Sequence, residues 1–225
     1  MEYLFNGVSL QNKRYSNMDS LLLKSGFING RKAMLAVVCD GVGSMADGAY
    51  ASITAVKIMN EWFDNVKTAD LIGTVMRNIV LNINLYIIKE SKLKNIYTAS
   101  TFSALLLVES DYYISHIGDS RIYCLENGRL CALTNDDVSP SGELTAYIGK
   151  NENILPQYRE GTAAGKIFLI CSDGLYRRMD KDFMTVKLKN WNKKSFDETI
   201  KILPQYVINL GEQDNISFAL VKIED

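Results

Sequence analysis

The sequence predicts a single α+β domain, and three observations lead to this fold class. The chain has 225 residues, of which 47% are hydrophobic and only three are prolines, so it can fold around a large core. Short apolar runs bounded by turn residues recur along the chain, as is typical of strands. Two longer segments carry apolar residues at helical spacing. No repeat, linker or composition shift divides the sequence, so residues 1–225 are expected to form one domain.

The first part of the chain predicts one buried strand followed by two helices. Residues 33–39 (AMLAVVC) are too few for a helix, rich in valine, and end at an Asp-Gly turn signal. A helix is expected from Ser52, and Asp70 is expected to cap a second, longer helix. The apolar face of the first helix recurs every three or four residues, at Ile53, Val56, Met59 and Phe63.

The second part of the chain predicts mostly strands. Four apolar runs have strand length, at residues 101–108, 112–117, 121–125 and 166–171. The breaks at 109–111 (ESD) and 126–128 (ENG) are short enough for hairpins, which favours antiparallel pairing.

The end of the chain predicts one more helix and one more strand. The helix is expected to begin at Ser195, which forms a capping box with Glu198, and to stop at Gly211. Residues 216–223 then predict a last strand.

Charge and cysteine content exclude several classes of protein. The 25 Lys and Arg residues balance 26 Asp and Glu residues, and no polybasic run marks a nucleic-acid or membrane surface, so neither partner is expected. The four cysteines form no Cys-x-x-Cys pair, and His116 is the sole histidine, so a zinc finger is excluded. The first residues (MEYLFNGVSLQNKR) lack a basic start followed by an apolar stretch, and no run of about 18 apolar residues occurs, so we expect a cytoplasmic protein with reduced thiols.

Carboxylates stand next to the predicted strands. Asp40, Asp119 and Asp173 each follow a strand-like run, and Asp214 precedes the last one. If these strand ends converge, the like charges repel unless a cation lies between them, and oxygen-only ligands select a hard ion such as Mg²⁺ or Mn²⁺. Taken singly, each residue also fits an ordinary turn, and Asp119 also fits a pair with Arg121.

A series of short motifs, in one order along almost the whole chain, resembles the bacterial type of the metal-dependent protein phosphatase 2C family. The motifs are 14–20 (RYSNMDS), 38–43 (VCDGVG), 48–52 (GAYAS), 100–101 (ST), 118–123 (GDSRIY), 133–134 (LT), 144–149 (LTAYIG), 171–175 (CSDGL) and 214–216 (DNI). The resemblance implies a sandwich of two antiparallel β-sheets flanked by helices. It also implies a binuclear Mn²⁺ or Mg²⁺ centre at one end of that sandwich.

The resemblance also assigns metal-binding roles to particular residues. Asp40 would bridge both metals, and Asp173 and Asp214 would complete the first site. The Gly41 carbonyl would bind the second metal. Asp19 would hold metal-bound waters in place.

A third, looser metal and a phosphate-binding residue follow from the same resemblance. Asp119 would bind the third metal, and Asp173 would belong to both this site and the first one. Arg14 would bind the phosphate. The implied reaction is hydrolysis of phosphoserine or phosphothreonine in proteins by a hydroxide that bridges the two metals, without a phosphoenzyme. The implied partner is a phosphorylated protein, the product of a bacterial serine/threonine kinase, and we expect a monomer.

Three positions depart from the family pattern. Met18 stands where many members carry Glu, and Val42 stands where eukaryotic members often carry His. Because His116 lies on a predicted strand, it is interpreted as a packed or surface strand residue, and a histidine general acid is not expected. Ser44 replaces a usual glycine.

The largest departure is a short segment near the expected substrate entrance. Only residues 140–143 stand where bacterial relatives carry a longer segment that leads into a mobile flap. The phosphatase 2C-like catalytic domain is therefore expected to have a shortened flap region, and residues 151–165 are the candidate for a small flap.

Two alternatives remain open at this point. Cys171 and Arg177 have the Cys-x5-Arg spacing of cysteine-dependent phosphatases, although Asp173 would then place a negative charge inside the phosphate loop. The second alternative is a pseudophosphatase that binds phosphoproteins without turnover.

Overall fold

The computed structural model describes residues 2–43, 45 and 47–224, except for the side chain of Phe196. Position 44, where the sequence departs from the family glycine, therefore lies outside the described residues. The strands are β1 (Glu2–Leu10), β2 (Ser20–Ile28), β3 (Arg31–Cys39), β4 (Phe102–Val108), β5 (Asp111–Ile117), β6 (Arg121–Glu126), β7 (Arg129–Ala132), β8 (Gln157–Thr162), β9 (Ile167–Cys171) and β10 (Ile216–Glu224). The helices are α1 (Gly48–Asn65), α2 (Ile72–Lys94), α3 (Asp173–Tyr176), α4 (Lys181–Lys189) and α5 (Phe196–Asn209).

The strands form two five-stranded antiparallel sheets, which confirms the predicted α+β sandwich. One sheet has the order β1-β10-β9-β6-β7 and the other has the order β2-β3-β4-β5-β8. Helices α1 and α2 pack on the outer face of the second sheet, whereas α3, α4 and α5 pack on the first. The β4–β5 and β6–β7 hairpins form at the two predicted turns.

Alternating side chains of the inner strands explain their nearly continuous apolar sequences. In β3, Leu35 and Val37 face the helices, whereas Met34 and Ala36 face the other sheet, and all four are fully buried. A strand that is covered on both faces cannot show the polar and apolar alternation of a half-exposed strand. The predicted inner strands are therefore confirmed with small changes at their ends.

Two predicted helix starts and one predicted capping box differ from the structure. Helix α1 already begins at Gly48, and Ser52 lies inside it with its hydroxyl donating to the Met18 carbonyl at 2.6 Å. Asp70 does not cap α2, because the chain enters this helix through Leu71 in the left-handed conformation, at φ 59°. Ser195 does occupy the N-cap of α5, but its hydroxyl donates to the Asn190 carbonyl, so the predicted capping box is wrong. None of the described helices combines the length and apolar character needed to cross a bilayer.

Candidate metal centre

A cleft of about 890 Å³ opens at the end of the sandwich where β3 and β9 end and β10 begins. Six of the seven predicted site residues line it, and they come from segments that are far apart in sequence. They are Arg14, Asp40, Gly41, Asp119, Asp173 and Asp214. The seventh, Asp19, is 8% exposed and does not line the cleft itself.

Asp40 follows the last residue of β3, and its backbone is fixed on both sides. Its amide donates to Thr101 Oγ1 at 2.9 Å, and its carbonyl accepts from the Thr101 amide at 2.9 Å and from Ser100 Oγ at 2.9 Å. Thr101 Oγ1 also lies 2.7 Å from Ser120 Oγ, which ties Asp40 to the loop that carries the next acidic residue. Burial raises the pKa of Asp40 well above its ordinary value, and the nearby charge of Asp19 raises it further.

Gly41 allows two chain segments to meet beside Asp40. Its amide donates to the Met18 carbonyl at 3.2 Å. A Cβ at this position would lie 2.7 Å from the carbonyl oxygens of both Gly48 and Met18, so a larger residue would force these segments apart. The Asp-Gly pair is therefore required by close backbone packing and not only by a turn.

Asp19 is a buried carboxylate beside the cleft. Its Oδ2 accepts a hydrogen bond from Ser172 Oγ at 2.9 Å. Its Oδ1 is buried and has no hydrogen-bond partner among the described residues. Burial raises the pKa of Asp19 to about 6, because the charged form loses its hydration. A buried carboxylate oxygen without a donor is costly, and a cation or an ordered water would satisfy it.

Asp173 begins the four-residue helix α3 and shows the same feature. Its Oδ2 forms an ion pair with Arg177 at 2.5 Å, one helical turn away. Its Oδ1 is buried and lacks a partner in the part of the chain that the structure describes. Burial raises the pKa of Asp173 to about 7 even though the charge of Arg177 acts in the opposite direction. A Cβ on Gly174 would lie 2.0 Å from the Asn215 carbonyl oxygen, so only glycine lets α3 pack against this segment.

Both carboxylate oxygens of Asp214, in contrast, accept hydrogen bonds from Arg14. The guanidinium donates through Nε to Oδ1 at 2.7 Å and through Nη2 to Oδ2 at 2.6 Å. Burial alone would raise the pKa of Asp214, but Arg14 and the Asn215 amide outweigh it, and the pKa is lowered. Arg14 remains 58% exposed at the cleft, so its position suits binding of an anion.

Two asparagines that we did not predict as site residues fix the loop that carries Arg14. Asn215 accepts from the Met18 amide at 2.9 Å and donates to the carbonyls of Gln11 and Ser16. Asn12 donates to the Asp214 carbonyl at 3.0 Å. Asn215 follows an assigned ligand in a family motif, which was the available signal, whereas nothing in the sequence pointed to Asn12.

Asp119 lies in the turn between β5 and β6 and is 8% exposed. The Tyr176 hydroxyl donates to its carbonyl at 2.8 Å and so connects this turn to α3. Burial raises the pKa of the Asp119 side chain. Arg121 does not pair with Asp119, contrary to the alternative considered above, because its guanidinium binds both oxygens of Asp136 at 2.8 and 2.6 Å.

These donors fit a hard divalent ion. They are carboxylate and carbonyl oxygens, two of the carboxylate oxygens are buried without a partner, and the carboxylates raise one another's pKa. No three acidic, histidine or cysteine side chains in residues 2–43, 45 and 47–224 form a closed ligand set, and arginines bind Asp173 and Asp214. The residues around the cleft thus supply the oxygen donors that a divalent ion requires. In this structure, arginine side chains bind two of these carboxylates.

His116 and Cys171 lie outside this group of donors. His116 is fully buried on β5, where its ring contacts Ser103 Oγ at 2.8 Å, which confirms the interpretation as a packed strand residue. Cys171 is also fully buried and does not line the cleft. Burial raises the pKa of its thiol, so it cannot supply a reactive thiolate near neutral pH. The structure therefore does not support the cysteine-dependent alternative.

The short segment forms one rim of the cleft. Gly142, Glu143, Leu144 and Tyr147 line this side. Residues 151–165, the candidate for a small flap, instead contain β8, which pairs with β5 along its whole length. Backbone hydrogen bonds to β5 make residues 157–162 an edge strand, so the expectation of a flap is wrong for this part of the segment.

A profile of the family described as Protein phosphatase 2C matches residues 7–210. The chain belongs to the protein phosphatase 2C family. This membership confirms the resemblance and the predicted enzyme class, a protein phosphatase.

Individual members of the protein phosphatase 2C family are similar to the chain over most of their length. The serine/threonine phosphatase Stp of Listeria welshimeri is 28% identical over an alignment 223 positions long, and the match covers 87% of this chain and 87% of the relative. The crystal structure of Stp1 from Staphylococcus aureus has a TM-score of 0.85 at 21% identity and covers 100% of this chain and 95% of that chain. The catalytic domain of PstP in complex with two manganese ions has a TM-score of 0.81 at 22% identity and covers 99% of each chain. Both structures confirm the fold.

Proposed function

We propose that this chain is a metal-dependent phosphatase that hydrolyses phosphoserine and phosphothreonine in proteins. The observation that carries the proposal is the convergence of four aspartates and the Arg14 guanidinium on one cleft, next to buried carboxylate oxygens that lack a partner among the described residues. An anionic substrate would be repelled by such a cluster unless cations neutralise it, and cations bound there would attract phosphate. The serine/threonine phosphatase names of relatives such as Stp support the substrate class.

Two ions would be held by the residues that the resemblance assigned. Asp40 would be shared between them, with Asp173 and Asp214 on one side and the Gly41 carbonyl on the other. When bound, Mn²⁺ or Mg²⁺ would act as a Lewis acid and lower the pKa of a shared water, so that hydroxide can attack phosphorus near neutral pH. The two manganese ions in the related PstP domain support this number. Buried Asp19 lies close enough to Asp40 for its charge to raise the pKa of that carboxyl, and it would orient water at the centre.

Arg14 has the position and shape of the phosphate-binding residue. It is exposed at the cleft, and its planar fork already makes two parallel hydrogen bonds to a carboxylate, the geometry that also suits two phosphate oxygens. Burial lowers the pKa of His116, and the ring does not line the cleft, so it does not protonate the leaving alkoxide. No cysteine lines the cleft either, which favours direct hydrolysis over a thiol-linked phosphoenzyme.

The substrate would be a phosphorylated protein, and a bacterial serine/threonine kinase would be the opposing enzyme. The cleft is wide, and its rim at residues 142–147 is short, so a phosphorylated side chain on a protein surface can enter. We propose that residues 1–225 work as one catalytic domain with a shortened flap region, and as a monomer.

The test is hydrolysis of p-nitrophenyl phosphate and of a phosphothreonine peptide by purified protein. Turnover should require Mn²⁺, stop with EDTA, and fall by several orders of magnitude in Asp40→Ala, whereas Asp182→Ala on the exposed side of α4 should behave as wild type. Folded protein that shows no turnover with either metal would overturn the proposal and favour a pseudophosphatase that binds phosphoproteins.

A further inference from the structure

A protein cation lies where the sequence resemblance implied a third metal. That site would use Asp119 together with Asp173, and both line the cleft, as does Arg177. The Arg177 guanidinium forms an ion pair with Asp173 Oδ2 at 2.5 Å. The other oxygen of this carboxylate, Oδ1, is the buried one without a partner in the described residues. One oxygen of Asp173 is thus bound to Arg177, and one remains for the two-ion centre.

Helix α3 holds Arg177 in this place. Because the residue stands four positions after Asp173, both side chains lie on one face of the turn. The adjacent Tyr176 donates its hydroxyl to the Asp119 carbonyl at 2.8 Å, and the Arg121 guanidinium stacks on the Tyr176 ring at 3.7 Å. The turn that carries Asp119 is therefore connected to helix α3, which Arg177 directly follows.

The charges around Arg177 agree with this placement. Burial lowers the pKa of its guanidinium, but the charges of Asp173 and Asp119 outweigh burial, and the pKa is raised. In return, Arg177 opposes the rise that burial causes in the pKa of Asp119. Two further arginines lie near these carboxylates, but each already binds another carboxylate with two hydrogen bonds: Arg121 binds Asp136, and Arg14 binds Asp214. Arg177 is thus the cation that faces this pair of carboxylates.

We propose that the guanidinium of Arg177 takes the place of a third divalent ion between Asp119 and Asp173, so that the chain binds two metal ions and not three. This inference rests on the proposed function, because it assumes the two-ion centre. A fixed monovalent cation neutralises part of the carboxylate charge without leaving the site, and its planar group excludes an ion from the same oxygens. The third position would therefore not depend on the metal concentration.

The test is a count of bound Mn²⁺ per chain by equilibrium dialysis and metal analysis, over a range of free Mn²⁺. Arg177→Gln removes the charge and should bind one ion more than wild type. Arg177→Met, neutral and similar in length, should show the same gain, whereas Arg177→Lys should keep the wild-type count. Adding Asp119→Asn to Arg177→Gln should remove the extra ion. Circular dichroism of each variant verifies folding.

Arg178→Gln is the matched control. Arg178 is the neighbouring arginine, but it faces Glu212 at 3.5 Å and does not line the cleft, so its loss should leave the count unchanged. Equal counts in wild type and in both neutral Arg177 variants would overturn the inference. A gain in Arg178→Gln would also overturn it. Binding of Mn²⁺ without hydrolysis of phosphopeptide would contradict the proposed function. The number of bound Mn²⁺ ions per chain would still test the role of Arg177.

Discussion

Arg14 and Asp214, which are 200 positions apart in the sequence, form a two-point ion pair at the mouth of the cleft, with distances of 2.7 and 2.6 Å. This ion pair shifts the pKa of Asp214 in the direction opposite to the shifts of the neighbouring carboxylates. Its pKa is lowered, whereas burial raises the pKa of Asp173 to about 7 and that of Asp19 to about 6. The same guanidinium is the group that we propose for phosphate binding, so Arg14 would connect Asp214, a proposed metal ligand, to the substrate position.

Replacing Arg14 with alanine should lower kcat/KM for a phosphothreonine peptide about 10- to 100-fold, because hydrogen bonds to a charged group contribute about 1.5–3 kcal/mol. Steady-state kinetics at saturating Mn²⁺ measures the loss. Arg14→Lys keeps the charge but not the two-point geometry, so it should recover only part of the activity. Unchanged kcat/KM in the alanine variant would contradict a role of Arg14 in phosphate binding.

Asn215→Ala should lower the free energy of unfolding by about 1–3 kcal/mol, because the Met18 amide and the carbonyls of Gln11 and Ser16 lose their partner. Urea denaturation measures the change. Asn209→Ala at the exposed end of α5 is the control and should stay within about 0.5 kcal/mol of wild type. Equal stability of the two variants would show that Asn215 does not anchor the loop.

The metal-free protein should become more stable as the pH falls from about 8 to about 5. Asp173 and Asp19 have pKa values of about 7 and about 6 when folded, above the value of about 3.9 for an unfolded aspartate. The folded state therefore binds more protons in this window, and its stabilisation is lost as the pH rises through these folded pKa values. Thermal unfolding in EDTA, repeated across this pH range, measures the effect.

Asp19→Asn is the comparison for this pH effect. The variant lacks one of the carboxylates whose pKa is raised and should show a shallower dependence of stability on pH. Burial lowers the pKa of His116, which acts in the opposite direction below about pH 6.5 in both proteins, so the difference between them isolates the carboxylate. Identical slopes for wild type and Asp19→Asn would contradict the raised pKa of Asp19.

Iodoacetamide should leave phosphatase activity intact, whereas EDTA should abolish it. Cys39 and Cys171 are fully buried, and burial raises the pKa of both thiols, so neither reacts readily in the folded protein. Cys131 is exposed and should be the modified residue. Mass spectrometry locates the adduct, and Cys131→Ser should remove it. Loss of activity that follows alkylation of Cys171 would restore the cysteine-dependent alternative.

The inner strands were readable from the sequence, whereas the edge strands were not. Strands β3, β4, β5, β6, β9 and β10 are covered by a layer on each face, and their apolar runs made them visible. In contrast, β1, β2 and β8 lie at sheet edges, are largely half-buried or exposed, and carry mixed residues. Backbone pairing with the neighbouring strand holds such segments in place, and hydrophobic periodicity does not record it.

By itself, the sequence determined the sandwich class and the acidic residues at the strand ends, because burial forces apolar residues into the inner strands and the family motifs fix their order. Only the tertiary structure decided which charges meet. The ion pair of Arg177 with Asp173 depends on a four-residue helix, and the link between Tyr176 and Asp119 joins segments 57 positions apart. The partner of each carboxylate is set by electrostatics in three dimensions, since a charge interacts with what folding brings near it and not with its neighbours in sequence.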